Sequence, residues 1–235
     1  MPPPPAPEPD VHARLARRLV RSGSKVALST ALAQDQSRPH GSLALAATSM
    51  EGEPLLLLSD LAVHTRNLVA DPRISLLYDA DDGGPEPLAG NRVSVIGTAI
   101  PEPRCAVGER FLRRYPHARR YAALGDFRMY RVVIEAAHLV AGFGAIHWLS
   151  ATDLVVPDHT GLAEAEPQLL ESLHAECRPW ILPGYPDPQP EWNLIGLDAE
   201  GADFRSETGI DRFAFTNPLE NLQRADTYLR GLGRQ

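Results

Sequence analysis

Apolar and polar residues alternate in the middle of the chain in a pattern that predicts strands, a tight turn and a short helix. Three apolar runs have the length of β-strands: residues 43–47, 55–58 and 74–78. The polar segment 50–53 contains one glycine and separates the first two runs, which predicts a hairpin. Residues 64–70 predict a short helix that ends before Pro72, because the residue before a proline avoids the helical region.

Similar patterns extend over the rest of the chain. Further strands are predicted over 25–32, 91–100, 127–140 and 143–149, followed by short ones over 192–197, 202–207 and 212–215. Helices are predicted over 10–21, 101–123, 167–177 and 217–232. Asn217 is predicted to cap the last helix, with Pro218 at its first position. Residues 1–9 are proline-rich and predict a disordered tail, and a change of composition at 157–165 predicts a domain boundary.

The composition is that of a packed protein without the usual marks of a nucleic-acid or membrane protein. The chain has 235 residues, 43% of them hydrophobic, and a net charge of −7, so no basic surface predicts a nucleic-acid partner. The N-terminal sequence lacks the apolar core of a signal peptide, and no apolar stretch has the length of a membrane span. We therefore expect a cytoplasmic protein. The two cysteines form no CxxC pair, which excludes a cysteine-rich zinc site.

The sequence contains no motif that carries out chemistry without a cofactor. Nucleophile elbows, phosphate-binding loops, HExxH motifs and dinucleotide-binding glycine motifs are all missing. Any reaction would therefore depend on a bound cofactor. The predicted helix at 64–70 follows a strand directly, so its first backbone N–H groups are unpaired, and Arg66 lies beside them. That combination predicts an anion site.

A resemblance to a known family rests on several short segments in a fixed order: Gly-Ser at 41–42, His-Thr-Arg-Asn-Leu at 64–68, Asp-Pro-Arg-Ile-Ser-Leu-Leu at 71–77, Arg-Val-Ser-Val-Ile-Gly at 92–97 and Gly-Phe-Gly-Ala at 142–145. With these segments, residues 10–155 resemble the split-barrel core of the pyridoxamine 5′-phosphate oxidase-like, FMN-binding superfamily. The pattern is most similar to its haem-utilisation branch, the HugZ type.

The resemblance implies an architecture and an assembly. The expected fold is mainly β with flanking helices, of the α+β class. A six-stranded split β-barrel over residues 10–156 would bind the cofactor, and a small α/β module over 157–235 would follow it. Split barrels of this superfamily are homodimers with cofactor sites at the subunit interface, so a homodimer is expected here.

The resemblance also favours haem over FMN. The four cations that hold the flavin phosphate in the oxidases fall on Ser42, Ala47, Val63 and His64. Three of these residues are small or apolar, and the fourth is a histidine. We therefore expect a haem-binding protein that could degrade haem oxidatively, and no pyridoxamine phosphate oxidase activity. An FMN-binding oxidoreductase and a cofactor-free binding or regulatory module are the alternatives.

Six residues are predicted to bind the cofactor: Ser42, His64, Thr65, Arg66, Asn67 and Arg92. Arg92 falls where the oxidases carry a glutamine near the flavin ring. The predicted haem-iron ligand is His64, or else His174, the histidine that remains of a longer His-rich run in the HugZ type. Apolar strand residues such as Leu56 and Leu58 would line the haem slot. The alternative for His64 is a helix-terminus residue that bonds only to local backbone groups.

Overall fold

The structure is a computed structural model that describes residues 11–80, 86, 88–103, 106–142, 144–158, 161–176, 180, 182, 185, 190–219 and 221–232. The predicted tail, residues 1–9, and Asp10 lie outside these residues. In the first part of the chain the strands are β1 Lys25–Ala31, β2 Pro39–Thr48, β3 Pro54–Ser59, β4 Arg73–Asp79, β5 Arg92–Glu102, β6 Phe127–Ala141 and β7 Ala145–Ser150.

The long strand β6 closes these strands into a barrel. Neighbouring strands are antiparallel in the order β3-β2-β1-β4-β5-β6-β7, and β3 also pairs with β6. The first half of β6 faces β3, with Leu55 opposite Arg131 and Ser59 opposite Phe127. The second half pairs with β7, which lies outside the ring. Within the described residues, six strands therefore form a closed antiparallel barrel and a seventh flanks it, which confirms the predicted six-stranded barrel.

A bulge in β6 at Glu135, opposite Ile96 and Gly97 of β5, lies between the part of β6 that pairs with β3 and the part that pairs with β7. The register between β5 and β6 shifts at Ile96 and Gly97. A Cβ atom at Gly97 would lie 2.1 Å from the carbonyl oxygen of Val133, so no larger residue fits there without a backbone shift. Such bulges bend a strand and increase its twist, which a small closed barrel requires.

The helices of the first part lie around the barrel. They are α1 Val11–Ser22, α2 Val63–Ala70, α3 Ala106–Arg114, α4 Arg119–Ala122 and α5 Ala151–Leu154, with a short 3-10 helix, Pro116–Ala118, between α3 and α4. The barrel core is filled by alternate strand residues such as Leu28, Leu76, Val95 and Leu139, and α1 adds Ala16 to it. This alternation is the period-two pattern of strands that have one buried face.

The C-terminal part has a sheet and a core of its own. It contains α6 Leu162–Glu176, β8 Asn193–Asp198, β9 Gly201–Arg205, β10 Ile210–Ala214 and α7 Leu222–Leu232. The three strands form an antiparallel sheet in the order β10-β9-β8. Its buried cluster includes Leu173, Trp180, Leu194 and Phe204 and shares no residue with the barrel core. The domain boundary at 156/157 stays a proposal.

Two predicted helix starts in this part are wrong. The last helix begins at Leu222, where the side-chain oxygen of Asn221 accepts a hydrogen bond from the backbone N–H of Arg224 at 3.0 Å. Asn221, not Asn217, is thus the cap. Helix α6 begins at Leu162 and contains Pro167 in its interior. The Asp158 carboxylate accepts a hydrogen bond from the backbone N–H of Ala163 at 2.8 Å, which stabilises this earlier start.

Among the described residues, no helix combines the length and the apolar character needed to cross a bilayer.

Candidate functional site

Helix α2 presents its predicted site residues in different directions. It has eight residues and follows β3 after a short turn. Residues two positions apart in an α-helix are separated by about 200° around its axis. His64 and Arg66 therefore lie on opposite sides of α2, although they are nearly adjacent in sequence. The sequence predicts both residues in one cofactor pocket, whereas the structure places them at two separate sites on α2.

His64 faces the first half of β2. Its Nδ1 lies 3.1 Å from the Ser42 hydroxyl oxygen, and its Nε2 has no hydrogen-bond partner among the described residues. Burial and the nearby His40 lower the pKa of His64 below the ordinary value of 6.5, so the ring is neutral at pH 7. The Nδ1 atom of His40 is itself buried without a partner among the described residues. We call His40, Ser42 and His64 the histidine cluster.

Asn67 lies on the side of α2 that faces β1. Its side-chain Nδ2 donates a hydrogen bond to the Thr30 hydroxyl at 2.9 Å, and its Oδ1 accepts one from the backbone N–H of Ala33 at 3.2 Å. Both Asn67 and Thr30 are buried. Because both ends of the amide are used inside the fold, Asn67 fastens α2 to the barrel, and its amide is closed to a ligand.

A cleft opens on the third side of α2, beside the first half of β6. It has a volume of about 390 Å³, and its lining is formed by Asp60, Thr65, Arg66, Val69, Pro101, Arg128 and Tyr130. We call it the arginine cleft. The Thr65 side chain is only 1% exposed, and its hydroxyl has no partner among the described residues. A buried unpaired hydroxyl is costly, so this atom is a place where a ligand could supply the missing hydrogen bond.

The two arginines of the cleft differ in their pairing. Arg128 contacts Asp60 through its Nε at 2.8 and 2.9 Å, whereas the exposed Arg66 has no ion pair or hydrogen bond within the described part of the chain. Burial raises the pKa of Tyr130, and the charge of Asp60 adds to the effect. The Tyr130 hydroxyl therefore stays protonated and can donate a hydrogen bond. The cleft can accept one anionic group.

Arg92 lies far from the arginine cleft. Its guanidinium donates a hydrogen bond to the backbone carbonyl of Leu88 at 2.9 Å, at the beginning of β5. Pro101, which lines the cleft, is nine positions further along the same strand, a distance of about 30 Å. Within one chain the structure does not bring Arg92 together with His64 or Arg66.

His174 and the predicted slot residues lie elsewhere. The Nε2 atom of His174 is 2.6 Å from the backbone carbonyl oxygen of Leu194, where α6 packs against β8 in the C-terminal part. One ring nitrogen is thus used inside the fold. Leu56 and Leu58 are buried in the barrel core, so the interpretation that they line a slot for a ligand is wrong.

The arginine cleft contains residues that the sequence interpretation did not find. Asp60, Arg128 and Tyr130 come together because β3 pairs with β6, which places Leu58 opposite Arg128. The two segments are about seventy positions apart, and no local pattern indicates that they are neighbours. The sequence shows a turn after β3 and a polar start of β6, but it does not indicate that the two are neighbours. The pairing of β3 with β6 that closes the barrel brings them together.

Comparison with known proteins identifies the family of this barrel. The sequence signature of the family described as "CREG, beta-barrel" matches residues 7–155. The chain belongs to the CREG beta-barrel family. The matched residues include α1, the barrel strands and α2, and therefore both the histidine cluster and the arginine cleft.

Individual relatives agree with this assignment. A non-canonical haem oxygenase, HOZ, from the chloroplast of Arabidopsis thaliana is 33% identical over 129 residues, which are 53% of this chain and 39% of that protein. The match thus spans about two fifths of the plant relative. The similarity does not extend over the full length of either protein.

Two solved structures match nearly the whole chain. A protein of unknown function from Agrobacterium tumefaciens has a TM-score of 0.80 and 25% identity, covering 99% of this chain and all 100% of that one. A haem-binding protein from Mycobacterium smegmatis has a TM-score of 0.58 and 25% identity, covering 95% and 98%. The CREG-family barrel of this chain therefore has the split-barrel fold of haem-binding relatives, and the predicted family resemblance is confirmed.

Proposed function

We propose that this CREG-family protein binds haem beside α2, where Nε2 of His64 would hold the iron. The observation that carries the proposal is the contact between Ser42 and His64. A histidine that binds a metal through one nitrogen usually donates its other N–H to a neighbouring acceptor, which fixes the ring. Here Nδ1 would donate to the Ser42 hydroxyl and leave the lone pair of Nε2 free.

The electrostatics and surroundings of His64 fit such a ligand. Only the neutral ring can bind iron, and its lowered pKa keeps it neutral at pH 7. Two apolar residues at the start of α2, Leu61 and Val63, are 74% and 41% exposed, and exposed apolar surface of this kind suits the haem macrocycle. Arg66 lies on the opposite side of α2, in the arginine cleft, and is therefore not a partner of a haem held by His64 in the same chain.

The relatives support haem as the ligand. The Mycobacterium smegmatis protein binds haem, and the Arabidopsis relative is a haem oxygenase. Bound haem supplies one-electron and oxygen chemistry, and the residues of the chain would hold and orient it. We extend the proposal to oxidative haem degradation on the ground of the plant relative. The roles derived for this chain are those of a neutral histidine ligand and of a hydroxyl that orients it.

A haem titration of the purified full-length protein tests the binding. We expect a saturable shift of the Soret band, and a changed band position or a strongly weakened affinity in His64→Ala. His174→Ala is the matched control, and it should keep the wild-type spectrum because His174 already contacts Leu194. If His174→Ala changes the spectrum and His64→Ala does not, the ligand has been assigned to the wrong part of the chain.

Degradation is tested separately from binding. The haem complex is supplied with oxygen and a reductant in the presence of catalase, which removes free hydrogen peroxide. Loss of the Soret band together with the appearance of a ring-opened product would support degradation. A parallel sample contains free haem without the protein. If this free haem is consumed while the haem complex of the protein stays intact, the function is limited to haem binding.

An FMN-binding protein is the second candidate, and the arginine cleft is the observation that favours it. Arg66, Arg128 and the unpaired Thr65 hydroxyl line the same cleft and could hold one phosphate group. Removing a charge-assisted contact costs about 1.5–3 kcal/mol, so Arg66→Ala should weaken FMN binding about ten- to hundredfold. Under this alternative FMN copurifies, His64→Ala leaves its affinity unchanged, and haem gives no specific spectrum.

We also propose that the protein is a homodimer formed through the outer face of its sheet. Directly opposite residues make one continuous row across six strands: Leu43, Ala27, Leu77, Ser94, His138 and Trp148. None carries a fixed charge, and Leu43 and Trp148 are 66% and 67% exposed. A surface of this kind usually marks an interaction site, and homodimers are what the superfamily resemblance implies.

Light scattering during size-exclusion chromatography tests the assembly. We expect twice the chain mass of 25.7 kDa for the wild type. The double variant Leu43→Lys/Trp148→Lys should be monomeric, because it places charges at both ends of the row. Val11→Lys, at an exposed apolar residue outside the row, should stay dimeric. A wild-type monomer at micromolar concentration would contradict the proposal.

A further inference from the structure

Arginines outnumber acidic residues in a buried ion-pair network between the barrel and the C-terminal part. Within the described residues, the connected ion pairs join six arginines to four acidic residues: Arg17, Arg21, Arg110, Arg113, Arg114 and Arg212, with Glu166, Asp198, Glu200 and Asp203. We call this set the charge network. Its arginines come from α1, α3 and β10, so it connects the helices of the barrel to the C-terminal sheet.

The centre of the network is one carboxylate shared by three guanidinium groups. Asp198 is fully buried and contacts Arg212 at 2.7 Å, Arg21 at 3.0 Å and Arg110 at 3.5 Å. Arg110 also pairs with Glu166, and Arg212 with Asp203. Because these acidic residues are shared between several arginines, the positive charge of the largely buried network exceeds its negative charge by two within the described part of the chain. Such charge is costly unless a further anion pairs with it.

A small cavity lies at the edge of the network where further positive charge collects. It has a volume of about 110 Å³ between α1 and the segment that follows β10, and its lining is formed by Arg14, Arg18, Arg21, Glu200, Arg212, Ala214, Phe215, Thr216 and Pro218. We call it the α1 cavity. Glu200 is the acidic residue among these lining residues, and it already contacts Arg17 at 2.7 Å and Arg21 at 3.3 Å.

The two outer arginines of the cavity have no acidic partner in the part of the chain that the structure describes. Arg14 and Arg18 are one helical turn apart on α1, and neither makes an ion pair within the described residues. Like charges at this spacing repel each other and weaken an isolated helix. Their guanidinium groups lie beside a cavity whose inner wall already carries the two buried arginines Arg21 and Arg212. Four guanidinium groups thus converge on one space.

We propose that the α1 cavity binds a phosphate-type oxyanion, either free or as the phosphate of a monoester. Arg14 and Arg18 would contact it from the solvent side, Arg21 and Arg212 would stabilise it from inside, and the Thr216 hydroxyl would donate a hydrogen bond. The volume corresponds to roughly three to four water molecules, which is enough for one tetrahedral oxyanion. One guanidinium group can donate two parallel hydrogen bonds to two oxygens of a phosphate. A doubly charged anion would also compensate the excess positive charge of the charge network.

Bound oxyanion would join the two parts of the molecule. Arg14, Arg18 and Arg21 belong to α1 on the barrel, whereas Arg212 and Thr216 belong to the C-terminal part. A ligand held by both parts stabilises their docking, and the stabilisation grows with its concentration. This site is separate from the histidine cluster and the arginine cleft, so it holds whether or not the protein binds haem.

Thermal unfolding of the full-length protein tests the site. Inorganic phosphate is titrated at constant ionic strength, with sodium chloride replaced in step, so that general screening does not change. We expect a saturable rise of the Tm in the wild type. The double variant Arg14→Gln/Arg18→Gln should lose this rise, with an affinity for phosphate at least about tenfold weaker. Both arginines are exposed, so the variant should fold normally.

A matched control separates local binding from the effect of net charge. Arg38→Gln/Arg73→Gln also removes two positive charges at strongly exposed side chains, and neither residue lines the α1 cavity. This control should keep the wild-type response. A parallel titration with glycerol 3-phosphate distinguishes free phosphate from the phosphate of a monoester. If glycerol 3-phosphate binds saturably and more tightly than inorganic phosphate, the ligand of the cavity is a monoester. A wild type without a saturable rise, or a rise retained in Arg14→Gln/Arg18→Gln, would overturn the proposal.

Discussion

His64 is oriented by a hydroxyl group rather than by a carboxylate or a backbone carbonyl. With the proton on Nδ1, the ring donates to Ser42 and Nε2 is free to bind a metal. With the proton on Nε2, the lone pair of Nδ1 is used by the Ser42 hydroxyl, and metal binding would have to break that bond. The tautomer thus decides whether His64 can be a ligand, and Ser42 is the residue on which the choice depends.

The pH dependence of His64 gives the first prediction. Burial, followed by the nearby His40, lowers its pKa below 6.5, so the folded chain takes up this proton at a lower pH than the unfolded chain does. Between these two pKa values the unfolded state binds more protons, and stability therefore falls as the pH falls. We expect the His64 ring signals in two-dimensional NMR to titrate below pH 6.5. The resonances are assigned with His64→Gln, and a midpoint above 6.5 would contradict the burial seen here.

Ser42→Ala tests the orienting hydrogen bond. Loss of a group that orients a metal-binding histidine typically costs about ten- to hundredfold in affinity, and we expect a decrease of that size for haem. The Tm should change little, because Ser42 is only partly buried. Ser29→Ala on the exposed face of β1 is the matched control and should behave like the wild type. Equal haem affinity in Ser42→Ala and the wild type would show that the hydroxyl does not hold the ligand.

At the scale of the elements, α2 shows what the sequence could predict and what it could not. The helix, its end before Pro72 and its place after a strand followed from local rules, and the structure confirms them. The directions of His64, Arg66 and Asn67 did not follow, because they depend on which strand each side of the helix contacts. Short helices have little periodicity to indicate the buried side, and here all sides are at least partly used.

The fastening of α2 to β1 gives the next prediction. Asn67→Ala removes both hydrogen bonds of the amide and leaves the buried Thr30 hydroxyl unpaired, which should lower the free energy of unfolding by about 1–3 kcal/mol. Urea denaturation of Asn67→Ala, Thr30→Ala and the double variant forms a double-mutant cycle. We expect the two changes to be coupled, since they share one bond. Additive effects would contradict a direct contact, and a loss of cofactor affinity at unchanged stability would restore Asn67 to the site.

The strands were predicted better than the ends of the C-terminal helices. Apolar runs locate the barrel strands to within a few residues, because strands such as β1 and β5 bury one face and β3 is buried along most of its length. Pro167 and Asn217 both match known preferences for helix starts, yet the structure selects other starts. Leu162 is buried in the C-terminal core. The burial of such residues extends α6 by five residues on the N-terminal side of Pro167. Tertiary packing thus outweighs a local signal at these two places.

At the scale of the whole molecule, the contact between the barrel and the C-terminal part relies on buried charges. Arg17 and Arg21 of α1 and Arg110, Arg113 and Arg114 of α3 reach acidic residues of the C-terminal part. Charged residues are rarely buried unless they are paired, so arginines at helical spacing in a sequence ordinarily indicate a solvated face of a helix. The acidic partners of these arginines lie 53 or more positions away, so the pairing could not be found from local patterns.

Asp198 is the residue on which this contact depends most. Burial alone would raise its pKa, but Arg21, Arg212 and Arg110 outweigh that effect and hold the pKa far below the ordinary value of 3.8. A carboxylate with a lowered pKa in the folded state contributes stability that is fully present above pH 3.8. The contribution is lost as the pH falls below that value towards the folded pKa. The docked C-terminal part should therefore remain intact at pH 5 and be released only in stronger acid.

Asp198→Asn removes the shared charge and should destabilise the C-terminal part by about 3–5 kcal/mol, because three buried arginines lose their common partner. Two of the three tryptophans, Trp180 and Trp192, are buried in that part, so fluorescence follows its unfolding, while far-ultraviolet circular dichroism is dominated by the strand-rich barrel. In urea, the fluorescence transition of the variant should move to a lower concentration than the dichroism transition. Asp226→Asn, which breaks a surface pair with Arg230, is the control and should cost less than about 1 kcal/mol. If the two signals of Asp198→Asn still change together at the wild-type midpoint, the charge network does not hold the two parts together.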